Sequence, residues 1–376
     1  MKSESEVTKM CTPADDQILI VGTDVGSLAL YDLTAFEAAG LKQDFFDYEA
    51  LLMVENAPEL DQGDTNHAKA LKKIRAKFKV LGHTFATDSM EDYKHFSPIR
   101  QLEFVSKAGS SYAQIGVMDE LGVVSQWSVM EIQAHLADKV GDFDLHLNMG
   151  GRFKLLENFS HSMMFMPEIF ENLDGMNDIG QGMELEFDPK DSNVFYFSTS
   201  GSLFKVNRKA SMVPTKLITE GLGAPTALSM SDEGYLLVGF SCGSIAIYHN
   251  AYTSPITVWS NASKYPIVKI NWSTVFNNGQ DEKLAPGSTR FMNRLCEFFV
   301  MDTSEDFYIW NITRSMDKPA RVISFAQKHE SLGKSNLYTQ SMTCADQTFF
   351  TAFATADLAV KLYAMNFRKG SQINRQ

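Results

Sequence analysis

Hydrophobic and polar positions repeat along this chain in a pattern that predicts paired β-strands. Short apolar runs end at a tight turn, and a second run follows in which a large apolar residue lies five positions after a turn residue. Glycine and aspartate favour such turns, since glycine tolerates a positive φ and aspartate forms local hydrogen bonds. The six pairs of turn residue and apolar residue are Gly26/Tyr31, Gly122/Trp127, Gly201/Val206, Gly243/Tyr248, Glu305/Trp310 and Leu358/Tyr363.

The spacing of these hairpins indicates a repeat architecture. Val206 and Tyr248 are 42 residues apart, which fits the roughly 40–45 residues of one four-stranded WD40 blade. The other steps between the large apolar positions are 53 to 96 residues long, so we expect insertions between blades, which loops accept at small entropic cost. The sequence therefore predicts an all-β fold, a WD40-type β-propeller with six recognisable blades, six or seven in total, forming one domain over residues 1–376.

Three segments depart from the blade pattern. Residues 36–80 change from acidic to basic and are predicted to be an insertion between blades, partly helical or mobile. The basic half of this insertion either binds an acidic partner or pairs with the acidic half as a solvated face. A Met- and Phe-rich stretch after Ser162 either packs beneath a loop or forms an adaptable binding surface. Residues 367–376 are predicted to be a flexible tail.

Several residues of the predicted hairpins are candidates for structural positions of the blades. Asp119 and Trp127 stand where many WD40 blades place members of a buried hydrogen-bond network. The histidine of that network is either His83, from an upstream Gly-His pair, or another residue. The full set of predicted blade positions is Asp24, Gly26, Tyr31, Asp119, Gly122, Trp127, Gly201, Gly243, Tyr248, Asp302, Trp310 and Tyr363.

Composition narrows the classes of partner and compartment. The 376-residue chain has a net charge of −12, which argues against nucleic acid or an anionic membrane as its main partner. Its first residues lack the apolar core of a signal peptide, and no run reaches the length of a membrane span. We therefore expect a cytosolic protein without membrane insertion. The cysteines, predicted to be reduced and structural, are Cys11, Cys242, Cys296 and Cys344.

The motifs that carry catalysis are missing from the sequence. The eight histidines are scattered without an HExxH motif, and no GxSxG elbow presents a serine. No GxxxxGK[ST] loop is present to bind phosphate. The sequence thus predicts a protein that is not an enzyme and has no catalytic residues, no metal and no cofactor.

Four segments, in order, resemble a known family. They are GGRFKLL, ELEFDPKDSNVFYFSTSGSLFKV, LLVGFSCGSIAIYHNAYTSPITVWSNASKYPIVKINWS and FFVMDTSEDFYIWNI. This combination resembles the C-terminal propeller of the larger WD-repeat intermediate chain of cytoplasmic dynein 2, the motor for retrograde intraflagellar transport. The upstream segments ILIVGTDVGSLALYDL and IGVMDELGVVSQWSV also fit, so the resemblance covers most of the chain outside the insertion.

The resemblance implies a non-catalytic motor subunit. Its propeller would bind the dynein 2 heavy-chain tail, in a complex with the second intermediate chain and light chains, in the cytoplasm and in the cilium at the axoneme and ciliary base. The resemblance identifies no heavy-chain contact residues. Members of the family carry an N-terminal extension that binds light chains and a blade before the first hairpin seen here, so light-chain binding is assigned to no residue of this sequence.

Two other functional classes remain as alternatives. A WD40 adaptor or substrate receptor of another complex, for example a ubiquitin ligase, would gather arginines around the central channel to bind phosphate or acidic motifs. The arginines here are spread over different loops. A six-bladed propeller hydrolase would need buried acidic or histidine metal ligands.

Overall fold

The fold consists of repeated four-stranded antiparallel sheets. The computed structural model describes residues 6–12, 18–33, 84–87, 90, 95–105, 113–132, 152–163, 182–272, 297–304, 306–312, 315–320 and 322, and the backbone alone at 321, 323–324, 337–345, 348–355, 360–366 and 373–375. The chain divides into two compact units, Met1–Met164 and Phe165–Gln376. The described residues form six sheets, and in each sheet every strand pairs with the strand next to it in sequence.

The first unit contains two of these sheets. The strands of the first sheet are β1 Val7–Cys11, β2 Ile18–Thr23, β3 Leu28–Asp32 and β4 Phe85–Ala86. Those of the second sheet are β5 Ile99–Val105, β6 Gln114–Asp119, β7 Val123–Glu131 and β8 Phe153–Ser162. One apolar cluster joins them, because Leu30 of the first sheet is buried together with Val117 and Trp127 of the second.

The second unit contains the other four sheets. The third has β9 Gly182–Asp188, β10 Asp191–Thr199, β11 Leu203–Asn207 and β12 Ser211–Lys216. The fourth has β13 Pro225–Met230, β14 Tyr235–Phe240, β15 Ile245–His249 and β16 Thr257–Trp259. The fifth has β17 Ile267–Trp272, β18 Glu297–Asp302, β19 Asp306–Asn311 and β20 Arg321–Ser324. The sixth has β21 Leu337–Ala345, β22 Thr348–Thr355, β23 Val360–Asn366 and β24 Ile373–Arg375.

The fourth sheet shows why its central strands read as nearly continuous apolar runs. Successive side chains of a strand point to opposite faces. Leu236 and Val238 of β14 are buried in a cluster with side chains of the third sheet, whereas Leu237 is buried in a cluster with side chains of the fifth. Both faces of the strand are therefore covered, and neither can be polar.

The predicted fold class is confirmed. All six predicted hairpins are present as the second and third strands of a sheet, namely β2–β3, β6–β7, β10–β11, β14–β15, β18–β19 and β22–β23. The prediction of a single domain over 1–376 stays a prediction.

One prediction about the borders of the sheets needs correction. The insertion at 36–80 connects β3 to β4 of one sheet, instead of lying between blades, because Ala29 and Leu30 pair with Ala86 and Phe85. The backbone groups on the outer edge of β3 need hydrogen-bond partners, and β4 supplies them although it follows β3 by about fifty residues in the sequence. Within the predicted tail, Ile373–Arg375 form β24, which pairs with β23, and the flexibility of the tail stays a prediction. The insertion itself lies outside the described residues.

Candidate functional site

Four polar or aromatic side chains of the second sheet form a buried hydrogen-bond network. Asp119 ends β6, Ser125 and Trp127 lie on β7, and His95 precedes β5. His95 Nδ1 lies 3.1 Å from Asp119 Oδ2, and His95 Nε2 lies 2.6 Å from Ser125 Oγ. Trp127 Nε1 donates to the same Ser125 Oγ at 2.8 Å. One order of donors satisfies every group, with the indole donating to the serine, the serine to a neutral histidine and Nδ1–H to the carboxylate.

This network has the connectivity of a hydrolytic triad without access to substrate. The Ser125 hydroxyl is hydrogen-bonded to His95, which is hydrogen-bonded to Asp119, as in serine hydrolases. Ser125 and Asp119 have no exposed surface, however, and His95 is 2% exposed. A catalytic nucleophile must reach its substrate. The arrangement is therefore structural, and it anchors β6, β7 and the segment that leads into β5.

The fifth sheet holds a counterpart with different side chains. Ser263 Oγ donates to Asp302 Oδ2 at 2.5 Å, and Tyr308 OH donates to the same oxygen at 2.8 Å. Ser263 precedes the first residue of its sheet's first strand by four positions, as His95 does, and Tyr308 follows Asp302 by six positions, as Ser125 follows Asp119. Burial is the main cause that raises the pKa of Tyr308 to about 12.

The difference between the two networks is found at their tryptophans. Trp310 holds the position that corresponds to Trp127, and both indoles are 1% exposed. Because tyrosine replaces serine at 308, Trp310 Nε1 has no hydrogen-bond partner among the described residues. The ring is held by packing, with its plane stacked on Phe298 at 5.8 Å between centroids.

The hairpin turns place three of the predicted glycines in a left-handed backbone conformation. The φ angles are 88° at Gly26, 72° at Gly122 and 79° at Gly243. Asp119 Oδ1 closes its turn by accepting the Val123 N–H at 2.8 Å. In the first sheet Thr23 takes this part, since its Oγ1 accepts from Ser27 N at 3.0 Å. Asp24 lies in that turn as predicted, one position beyond the residue that closes it.

Gly26 and Gly243 let their turns pack on the segment that leads into the next sheet. A Cβ on Gly26 would lie 2.7 Å from the carbonyl oxygen of His95, and one on Gly243 would lie 2.8 Å from that of Tyr265. Any side chain at these positions would collide with backbone. Each of these turns therefore packs on the segment that supplies His95 or Ser263 to the buried network of the neighbouring sheet.

The remaining predicted blade positions differ in their burial and in their hydrogen bonds. Tyr31 is half-buried, whereas Tyr248 is buried and donates its hydroxyl to Ile218 O at 2.7 Å. Gly201 lies in the turn after β10, where Thr199 Oγ1 accepts from Ser202 N at 3.0 Å. Tyr363 belongs to β23, for which the structure describes the backbone alone. The predicted residues are equivalent positions of several sheets and do not converge on one site.

The histidine of the network is not among the predicted blade positions. His95, not His83, holds this position, and His83 lies outside the described residues. A signal was available, because the segments 95–99 and 263–267 both end in Pro-Ile before a first strand. Gly22 and Gly239, also missed, both follow valine near the end of a second strand. Added Cβ atoms there would lie 2.8 Å from the Cβ atoms of Ile99 and Ile267 respectively.

Neither a metal centre nor a membrane span is found in the part of the chain that the structure describes. No group of three or more His, Cys, Asp or Glu side chains is close enough there to hold a metal ion. No helix among the same residues is long and apolar enough to cross a membrane.

Comparison with known proteins identifies the fold. No protein-family model matches the chain, and no curated protein matches it. Solved structures do, among them the C-terminal WD40 domain of Sif2, with 12% identity and a TM-score of 0.51 over 98% of this chain and 69% of that one. Chaetomium thermophilum Raptor matches with 12% identity and a TM-score of 0.55 over 97% of this chain and 24% of that one. The β-propeller domain of Myceliophteria thermophila Cps50 (Swd1) matches with 11% identity and a TM-score of 0.53 over 99% and 86%. At such identities the likeness establishes the fold alone, a WD40 β-propeller.

Proposed function

We propose that this chain is a non-catalytic scaffold, the intermediate-chain subunit of a cytoplasmic dynein 2 motor. In this role its propeller binds the heavy-chain tail and supports retrograde intraflagellar transport in cilia. The observation that carries the proposal is the ordered series of segments that resembles the family's propeller. These segments coincide with strands from β8 to β19, so the resemblance extends over consecutive sheets. Single hairpin motifs are common to WD40 repeats, and the order of the segments is more specific.

The non-catalytic role is supported by the burial of an arrangement in the second sheet that has catalytic connectivity. The side chains of Ser125, His95 and Asp119 are buried and hydrogen-bonded in series. Trp127 Nε1 donates a further hydrogen bond to Ser125 Oγ. Their contribution is to hold strands, which suits a rigid scaffold.

Direct binding to the heavy-chain tail tests the proposal. The purified chain should form a complex with a recombinant dynein 2 heavy-chain tail in size-exclusion chromatography, and it should not do so with the tail of cytoplasmic dynein 1. Circular dichroism on the same sample must show the β-sheet signal, so that a failure to bind is not a failure to fold. A folded chain that leaves the dynein 2 tail unbound contradicts the proposal.

The complex in cells and its location provide a second test. Affinity purification of the tagged chain from ciliated cells should recover the dynein 2 heavy chain together with its second intermediate chain and light chains. The tagged chain should lie at the ciliary base and along the axoneme. Recovery of ubiquitin-ligase subunits, or of another complex, would favour the adaptor alternative.

A further inference from the structure

One large apolar side chain beside the buried network of the second sheet is almost fully exposed. Phe96 is 81% exposed, although its neighbours His95 and Ser97 are 2% and 9% exposed. His95 is fixed by Asp119 and Ser125. The backbone at Phe96 is thus anchored on both sides, and its ring is presented to solvent from a rigid base.

Two hairpin turns enclose this position and add apolar surface. The turn of the first sheet approaches from one side, since a Cβ on Gly26 would lie 2.9 Å from the Ser97 carbonyl oxygen. The turn of the second sheet approaches from the other, because Leu121 N donates to Ser97 Oγ at 3.2 Å. The residues at these turns, Val25 and Leu121, are each 52% exposed. We call Val25, Phe96 and Leu121 the turn-side patch.

Among the described residues, carboxylates are the commoner ionisable groups around the turn-side patch. Asp24 precedes Val25, and its backbone N–H donates to Glu6 O at 2.9 Å, which places the exposed Glu6 beside the same turn. Asp24 Oδ1 is buried and has no hydrogen-bond partner among the described residues, and Glu6 is exposed. Glu120 is paired with Arg100 at 2.7 Å, and a second cation, Lys9, lies on β1 opposite Gly22, so the described carboxylates outnumber the described cations near the turn. The surroundings therefore attract positive charge, as does the net charge of −12.

The residue of the fifth sheet that corresponds to Phe96 shows whether folding requires an aromatic side chain at this position. In the aligned segment 263–267, an exposed Lys264 stands where the second sheet has Phe96. A solvated lysine satisfies the fold there, and the phenylalanine is not required by packing. Exposed aromatic side chains on a rigid base, surrounded by smaller apolar contacts, are typical of the residues that dominate protein interfaces.

We propose that the turn-side patch binds a segment of a partner protein in which an apolar anchor is flanked by lysine or arginine. The anchor covers Phe96 between Val25 and Leu121, and the flanking cations lie against Asp24 and Glu6. The inference is independent of the dynein 2 assignment, because it rests on the exposed side chains and charges of the first two sheets.

Matched short peptides test this inference by fluorescence anisotropy with the full chain. One set carries a central Leu, Phe or Trp between pairs of Lys or Arg, a second replaces these cations by Glu, and a third replaces the anchor by Ser. The first set should bind, and both others should bind at least about ten-fold more weakly. Affinity for the first set should also fall as salt is raised.

Substitutions locate the binding on the patch. Phe96→Ser should weaken the first set at least about ten-fold without unfolding, because the ring is mostly solvated, and Glu6→Gln should reduce the salt dependence. Tyr252→Ser is the matched control, since this aromatic ring is 61% exposed in the connection between β15 and β16, and it should leave the affinity unchanged. The inference is overturned if no peptide of the first set binds, if the acidic set binds better, or if Phe96→Ser binds as well as the unaltered chain.

Discussion

Trp127 and His95 are joined through a single hydroxyl group. The indole nitrogen lies 2.8 Å from Ser125 Oγ, and the same oxygen lies 2.6 Å from His95 Nε2. Since Ser125 is completely buried, water cannot replace either contact when one is lost. This one hydroxyl group therefore contributes two buried hydrogen bonds to the stability of the second sheet.

Replacing Ser125 by alanine should destabilise the second sheet strongly. The change removes the buried hydrogen bonds that Ser125 Oγ makes with His95 Nε2 and Trp127 Nε1, which costs about 2–4 kcal/mol in the free energy of unfolding. Hydrogen exchange of peptides from β5 to β7, followed by mass spectrometry, measures the loss locally.

The control for that substitution lies on the same strand. Ser128 Oγ pairs with Asn158 at an exposed site, so Ser128→Ala should change the protection by no more than about 0.5 kcal/mol. Equal effects of Ser125→Ala and Ser128→Ala would show that the buried network contributes little.

The two tryptophans should respond differently to the same substitution. Trp127→Phe removes a hydrogen bond to Ser125, whereas Trp310→Phe removes an N–H that has no partner among the described residues. The loss of ring volume is the same in both, so Trp127→Phe should cost about 1–2 kcal/mol more. Urea unfolding followed by circular dichroism, together with hydrogen exchange in each sheet, gives the comparison. A larger cost at Trp310 would mean that its indole nitrogen is bound in solution.

The fold was predictable from the sequence because local patterns determine it. A strand buried on both faces is recognisable from its own apolar run, such as YLLVGF. The turns that need a glycine, at Gly26, Gly122 and Gly243, lie within a few residues of such runs. The position of β4 was not predictable in this way. Its two residues pair with β3 after an excursion of about fifty residues, and nothing in Phe85 and Ala86 distinguishes them from any other apolar pair.

The buried networks were predictable only in part. Asp119 and Trp127 have fixed spacing from the turn of their own hairpin, so local sequence finds them. The third partner arrives from outside the hairpin, at a distance that depends on the connecting loop, and its identity varies between His95 and Ser263. Any short polar donor that reaches the aspartate satisfies it, so residue type alone gives no reliable signal.

Gly243 should be far more sensitive to alanine than Gly221. Both have a positive φ, 79° and 73°, so each substitution incurs about 1–2 kcal/mol of backbone strain. A Cβ at Gly243 would also lie 2.8 Å from the Tyr265 carbonyl oxygen, while nothing lies within 4 Å of one at Gly221. Gly243→Ala should therefore cost at least about 2 kcal/mol more, by analogy with overpacking. Thermal unfolding of the two variants compares them directly, and similar losses would mean that the turn moves freely away from the next sheet.

The two cysteines with described side chains should differ in reactivity. Burial, with a smaller effect from the charge of Glu103, raises the pKa of the Cys11 thiol from 9.0 to about 12, whereas Cys242 is exposed. The thiolate is the form that reacts, so iodoacetamide at about pH 8.5, near the ordinary thiol pKa, should label Cys242 quickly and Cys11 slowly, as read by peptide mass spectrometry. Because the folded state raises the pKa of Cys11, its contribution to stability is complete below pH 9.0 and is lost as the pH rises towards about 12. Alkaline unfolding should expose Cys11 and bring its rate up to that of Cys242, and equal rates in the folded chain would contradict the burial of Cys11.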